Sequence, residues 1–342
     1  MGDDTGSGGG TTSAAGAGRA GAAVWDDERA DLLGEPWVAR TLHLPPDAET
    51  AREGVEPVAT LVHRPARHRR AVLYLHGFVD YFFHTHVADA LDAAGWDLYA
   101  LELRDYGRSI RPGRPANHTR ELATYAQEID AAVALLRTDH DHVALLGHST
   151  GGLVAALWAH ARPGGVDAVV LNSPWLDLRG SWFERHVLTH CLGPLSRVAP
   201  DLVLGHIAPH YGRALHQDTG GEWDFDLAWK PHEGFPARAS FVRTIRVGHA
   251  RVGRGLAIAE PVLVLTSDAT GPDDREHDAL LTTDSVLDVD HIAARAPLLG
   301  PDVTLVVVPG GSHDLALSPS PARERYVAEV VRFLDERVPP QG

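Results

Sequence analysis

Val143-Ala144-Leu145-Leu146-Gly147-His148-Ser149-Thr150-Gly151 joins an apolar strand to a glycine-bounded turn, and a helical pattern follows from Leu153. Strand, turn and helix in that succession are the setting in which a Gly-x-Ser-x-Gly pentapeptide carries chemistry. A serine raised on a sharp turn stays exposed at the carboxyl end of a sheet only if the residues two positions to either side let helix and strand close together. Gly147 and Gly151 meet that need. The helix beginning after Ser149 also turns its positive end toward negative charge developing there. The same pentapeptide in another setting would describe only a helix cap, so the flanking elements decide the reading.

Three further runs are apolar on both faces: Ala71-Val72-Leu73-Tyr74-Leu75, Leu98-Tyr99-Ala100-Leu101 and Ala168-Val169-Val170-Leu171. Strands of this kind belong to a parallel sheet covered on both sides. Helical patterns over about 85–94, 120–137 and 150–161 fall between them, the alternation that right-handed crossovers produce. Upstream, residues 36–64 hold short apolar runs (Trp37-Val38-Ala39 and Val58 to Val62) broken by Pro45-Pro46 and Pro57, and read as antiparallel edge strands. The alternation stops after Asn172-Ser173-Pro174-Trp175 and resumes at Pro261-Val262-Leu263-Val264-Leu265, a gap too long for a simple loop. Residues 177–256 are therefore expected to form a mainly helical cap inserted into a core of 36–176 and 257–340. A strand at Val303 to Val308 and a helix over about 322–337 close the chain.

With 342 residues and 44% apolar content the chain can bury a large core. A formal net charge of −15 disfavours nucleic acid and anionic membrane surfaces as partners. The single cysteine, Cys191, supplies neither an intrachain disulfide nor a thiolate cage, and no apolar run reaches 18 residues, so stable membrane insertion is not expected. Residues 1–23 are Gly, Ala, Ser and Thr rich, without a signal-peptide pattern, and are expected to be a disordered tail of a cytoplasmic protein. Lys230 is the only lysine, which reflects arginine-rich usage and suggests no role.

A serine nucleophile needs a base, and the base an acid that orients it; on such a sheet they follow in the order Ser, acid, His. His313, in Pro309-Gly310-Gly311-Ser312-His313-Asp314, comes directly after the strand Val303 to Val308 and before the last helix, where an imidazole reaches the serine. Among 21 histidines only position singles it out. Two acids follow the strand Val262 to Leu265: Asp268, immediately after it, and Asp284, ahead of a helix carrying Ile292. Asp284, 29 residues before His313, is preferred, and Ala269 to Thr283 then becomes an insertion between strand and acid. Oxyanion donors fall to the backbone amides of Thr150, after the nucleophile, and Phe78, in His76-Gly77-Phe78 after the strand Ala71 to Leu75.

Together His76-Gly77-Phe78, Leu103-Arg104-Asp105-Tyr106-Gly107-Arg108-Ser109, the turn at Ser149, Asn172-Ser173-Pro174 and Ser312-His313-Asp314 resemble the α/β-hydrolase superfamily, over about residues 58–338. Within it the chain is similar to the monoacylglycerol lipase and lysophospholipase-like group, which also holds serine aminopeptidase-like members; the segment before Gly107 is shorter and poorer in glycine than is usual there. The resemblance implies the α/β-hydrolase fold, a Ser149, Asp284 and His313 triad, Phe78 and Thr150 as oxyanion donors, and no cofactor. It leaves the substrate open.

The expected activity is carboxylic-ester hydrolysis on a small acyl substrate through an acyl-enzyme. A peptidase or acyltransferase with the same triad, or a binding module on the same scaffold, are the alternatives. The cap aromatics Trp182, Phe183, Trp223, Phe225 and Trp229 are candidates for the acyl pocket or for the cap's own core. His186, His190, His206, His210 and His216 lack the paired carboxylates of a ligand set, so no metal is expected. Oligomeric state is not encoded in any motif.

Overall fold

Runs of β-branched and aliphatic residues that bury both faces assemble into one twisted sheet, and the computed structural model describes it through residues 1, 23–46, 50, 54–179 and 194–340. The long strands are β1 (Val38–His43), β2 (Val58–His63), β3 (Arg70–Leu75), β4 (Asp97–Glu102), β5 (His142–His148), β6 (Ala168–Asn172), β7 (Val262–Ser267) and β8 (Val303–Val308). They lie in the order β1-β2-β4-β3-β5-β6-β7-β8. β2 runs antiparallel to β1 and β4, and every pairing from β4 onward is parallel. Two-residue pieces at Val24–Trp25 and Arg29–Ala30 pair with β1. The antiparallel pair expected at the edge is present, but β2 is interior, with all six residues buried between β1 and β4.

Alternation across β3 shows how the core is divided. Ala71, Leu73 and Leu75 face α2 (Ala126–Leu136), α3 (Thr150–Ala161) and α6 (Val289–Arg295), while Val72 and Tyr74 face α1 (His86–Ala93) and α7 (Ala322–Arg337). Each buried Leu or Val of these two-sided strands contributes roughly 1.5–3 kcal/mol. Helix α3 is buried almost all round, as its uniformly apolar sequence requires. β8 closes the sheet as an edge strand, with Leu305 and Val307 left exposed.

Between β6 and β7 the described chain carries α4 (Pro209–Leu215), α5 (Ala239–Gly253) and a short antiparallel pair, Val203–Gly205 with Ala237–Arg238. Asp177 fastens α5 to α6 through Arg246 (3.0 Å) and Arg295 (2.6 Å). Most of the expected N-terminal tail, with Cys191, Trp182, Phe183, His186 and His190, lies outside the described residues. Among those described, no helix is long and apolar enough to cross a membrane.

After β3 the chain turns to β4 on one side and then crosses to β5 on the other. Neighbouring strands whose connections depart in opposite directions leave a crevice beyond their carboxyl ends, and that is where such sheets bind ligands. Phe78 and Ser149 stand at the two lips of this crevice.

Several histidines are buried with the core. Burial pushes His76, His86 and His118 down to about 4 and His249 to about 3. Below the ordinary value of 6.5 the unfolded chain binds protons that the folded chain refuses, so stability rises with pH through this window. Burial also lowers His63, His84, His148 and His232, so eight histidines act in this direction, against His43, raised by its bond to Asp26, and the buried carboxyls of Glu102 and Glu128, raised by burial. The melting temperature should therefore fall steadily as pH is lowered from about 6.5 to about 4, when followed by circular dichroism. A flat profile over that range would contradict neutral burial of these rings.

Candidate active site

Ser149 sits at φ 51°, ψ −114°, a conformation closed to most side chains. Three backbone hydrogen bonds impose it: Ser149 N–H donates to Asn172 O (3.0 Å), and Ser149 O accepts from Trp175 N–H (2.9 Å) and Leu153 N–H (3.2 Å). The glycines allow the approach. A Cβ on Gly147 would overlap the Gly151 carbonyl, and one on Gly151 would overlap the carbonyl oxygens of Leu75 and His76 at the end of β3. Gly152 belongs to the same contact, since a Cβ there would stand 2.8 Å from the Pro174 ring.

His313 reaches this serine from the loop after β8. Its Nδ1–H donates to Asp284 Oδ2 (3.0 Å), which leaves Nε2 to accept the Ser149 hydroxyl (3.1 Å). Asp284 is fully buried, and its Oδ1 accepts the amides of Val286 (2.9 Å) and Leu287 (2.7 Å). Burial pushes this carboxyl upward, but His313 and the two amides outweigh burial and hold it below the usual carboxylate range. Asp268, the other candidate, is exposed and accepts from Gly310 N–H (2.9 Å), away from the imidazole. The insertion between them makes a closed excursion. Asp284 N–H donates to Ala269 O and Gly271 N–H to Asp284 O, both at 2.9 Å, so residue 284 returns to the end of β7.

The loop after β3 is braced on each side of Phe78. Gly77 N–H donates to Asp80 Oδ2 (3.3 Å) and Val79 N–H to Asn117 Oδ1 (2.7 Å), and Val79 itself has φ 54°. Buried His76 donates from Nδ1 to Gly77 O (2.8 Å) and accepts Leu103 N–H at Nε2 (3.1 Å). A Cβ on Gly77 would touch His148 at 3.1 Å and Ser149 at 3.3 Å, so glycine lets the loop lie against the nucleophile. Phe78 and Thr150 line the cavity together with Ser149, and Thr150, as the first helical residue, has no intrahelical acceptor for its N–H.

The segment Leu103 to Ser109 supports this loop with buried ion pairs: Arg104 with Glu128 (2.6 Å), Asp105 with Arg114 (2.7 Å), and Arg108 with Glu102 and Asp31. Gly107, at φ 45°, admits the Glu102 carboxylate where a side chain would collide with it. None of the four pairs lines the cavity.

Two residues of the β6–β7 segment complete the surroundings, and sequence reasoning missed both. Lys230 pairs with buried Asp80 (2.5 Å) and, overcoming the upward push of burial, drives that carboxyl far below its usual range. Tyr211 accepts Asp314 N–H (3.0 Å) and bonds Ser312 Oγ (3.1 Å), so it grips the loop that carries His313. The one legible signal was Lys230 itself, a lone lysine in a chain that otherwise uses arginine. Asp80, His148 and Asp314 also bring three ligand-type atoms together, but the Lys230 ammonium already occupies Asp80.

A cavity of about 280 Å³ opens over Ser149, lined mainly by apolar groups including Phe78, Trp175, Leu178, Ile207, Phe241 and Leu287. Of the cap aromatics, Trp223, Phe225 and Trp229 instead pack with Tyr81, Phe83 and Leu317 as a separate cluster joining this segment to the core. Trp223 Nε1–H donates to Leu317 O (3.0 Å) there, an indole hydrogen bond that a lipid-filled pocket could not provide. His206 lines the cavity, whereas His216 is taken up by Phe225 O and Asp218 N–H.

Residues 66–219 match the family model described as serine aminopeptidase, S33. The chain is 27% identical to a monoacylglycerol lipase of Mycolicibacterium smegmatis over 256 residues, 73% of this chain and 83% of that protein. It is 34% identical to phospholipase YtpA of Bacillus subtilis over 88 residues, 25% of this chain and 33% of that one. Among solved structures it superposes on monoacylglycerol lipase of Paleococcus ferrophilus with a TM-score of 0.62 at 20% identity, covering 81% of this chain and 98% of the other. A soluble variant of monoglyceride lipase from Saccharomyces cerevisiae gives 0.63 at 15% identity, with 83% and 93% covered.

Because two carbonyl oxygens stand where a Gly151 side chain would go, Gly151→Ala is expected to destabilise the fold by about 1–3 kcal/mol. Urea titration reads this directly, and an unchanged midpoint would mean that the strand-to-helix contact is looser than described.

Proposed function

This chain belongs to the α/β-hydrolase superfamily, and from that premise we propose that it hydrolyses carboxylic esters with Ser149 as the nucleophile. The observation that carries the reading is the hydrogen-bonded series Ser149, His313, Asp284, opening onto an apolar cavity. His313 Nε2 takes the Ser149 proton as Oγ attacks the ester carbonyl. Amides of Phe78 and Thr150 receive the oxyanion, each such donor contributing roughly 3 kcal/mol to the transition state. Collapse expels the alcohol, protonated by His313, and water activated by the same imidazole then releases the acid from the acyl-enzyme. Asp284, anionic and buried, fixes the tautomer and stabilises the imidazolium.

The apolar lining supports a lipid-like acyl ester, in keeping with the lipase names borne by the relatives. A peptidase acting on free amino termini would need an unneutralised carboxylate facing the cavity. Of the two that line it, Asp80 is matched by Lys230, whereas Asp314 accepts from Asn172 and Ala316 through Oδ1 and has no hydrogen-bond partner for Oδ2 among the described residues, so Asp314 is the one carboxylate on which a peptidase reading could rest. Residues 177–256 serve in this reading as a cap over the site, and the single cysteine is in keeping with a cytoplasmic setting.

A fluorophosphonate probe should label the wild-type chain at one serine and leave Ser149→Ala unlabelled; equal labelling of both would remove Ser149 from the mechanism. Turnover of a p-nitrophenyl ester should fall about 10⁴-fold in Asp284→Asn while Asp268→Asn stays close to wild type. The opposite ranking would transfer the acid's role to Asp268.

A further inference from the structure

A second groove, of about 580 Å³, lies away from Ser149, between α2, α3 and α5. Its floor is apolar, formed by Leu122, Ile129, Val154, Leu157 and Trp158, and Val247 projects into it with 56% of its surface exposed. Its rim is basic. Arg120, Arg162, Arg243, Arg251 and Arg254 surround it, against one acidic wall residue, Glu121. This occurs in a chain where 46 acidic residues face 31 basic ones.

Three of these arginines already have partners: Arg120 approaches Asp201, Arg162 is held by Asp130, and Arg251 contacts His160. Among the described residues no hydrogen bond or ion pair engages the guanidinium of Arg243 or Arg254. Arg243, Val247 and Arg251 recur at intervals of four on α5 and share one face, with Arg254 a further three residues on. Of these, Arg251 and Arg254 are like charges three residues apart, a spacing at which they repel one another, while Arg243 stands alone at the other end of the face. An apolar trough edged by unmatched guanidinium groups is complementary to a molecule with one hydrocarbon chain and one anionic head, because arginine matches a carboxylate with two parallel hydrogen bonds. The volume falls within the range of small-molecule sites, roughly 300–1,000 Å³. We propose that this groove binds a single-chain fatty carboxylate, with its tail along Leu122, Val154, Leu157 and Val247 and its head on one of the two rim guanidinium groups, Arg243 or Arg254, which stand eleven residues apart at opposite ends of the α5 face.

The site is separate from the Ser149 cavity, although α5 borders both: Phe241 and Val242 line the cavity, while Arg243, Val247 and Arg251 line the groove. The claim does not depend on Ser149 being a nucleophile. It can be tested on the full chain by isothermal titration with decanoate and, as the neutral probe of equal chain length, decanol. Arg243→Glu/Arg254→Glu changes two groups outside the cavity and without hydrogen-bond or ion-pair partners among the described residues, so the folded protein and its Ser149 site are expected to be retained. Decanoate should bind the wild type more tightly than decanol does, and the double variant should weaken decanoate by about tenfold or more while leaving decanol within twofold. Decanoate should also protect amides of α5 from hydrogen exchange in the wild type. Equal decanoate affinity in wild type and variant, no preference for decanoate over decanol, or no binding at all would each overturn the proposal.

Discussion

The left-handed backbone at Ser149 is the constraint around which this molecule is arranged. A non-glycine residue at φ 51° costs on the order of 1–3 kcal/mol and persists only where its surroundings over-determine it. Here they do. β5 fixes the approach, α3 fixes the departure, and Asn172 and Trp175 from the end of β6 bond the serine's own N–H and C=O. The central position of β5, between β3 and β6, follows from the same need, because the turn presses Gly151 against β3 and Gly152 against Pro174. The result is a hydroxyl held at the mouth of the crevice without mobile support.

Charge is organised around that point at two distances. Close to the serine, one anion, Asp284, is buried against one imidazole and two amides, so its field acts on His313 in a site with little water to screen it. Farther out, the pairs Arg104–Glu128 and Asp105–Arg114, with the Arg108 pair to Asp31 and Glu102, are sealed beneath the loop after β3. Buried pairs of this kind add little net stability, but losing one partner strands a charge in low dielectric, so they favour one arrangement of the loop over its neighbours. Lys230 and Tyr211 extend this bracing from the β6–β7 segment to Asp80 and to the His313 loop. The β6–β7 segment, which contributes to the lining of the cavity, thus also holds the two loops on which the proposed chemistry depends.

Local pattern was enough for the parallel strands, because two-sided apolar runs have no other stable use in a chain of this size. The helices at 86–93, 126–136, 150–161 and 322–337 fall where the periodicity placed them. The interior place of β2 was not legible, since a short apolar run bounded by proline looks the same at an edge as next to one. Nor was the packing of Trp223, Phe225 and Trp229 with Tyr81 and Phe83, which are distant in sequence.

By itself, the sequence determined the sheet, the turn and the identities of the serine and histidine at its carboxyl edge, because periodicity and turn chemistry act over a few residues. Only the tertiary structure sets Asp284, and not Asp268, against the His313 imidazole. Their separation along the chain says nothing about which one faces an imidazole, and the Ala269–Asp284–Gly271 hydrogen bonds that fold the insertion back are contacts between residues remote in sequence. The same holds for Lys230 and for the arginine-rimmed groove, since a charge acquires a role only from what the fold sets beside it.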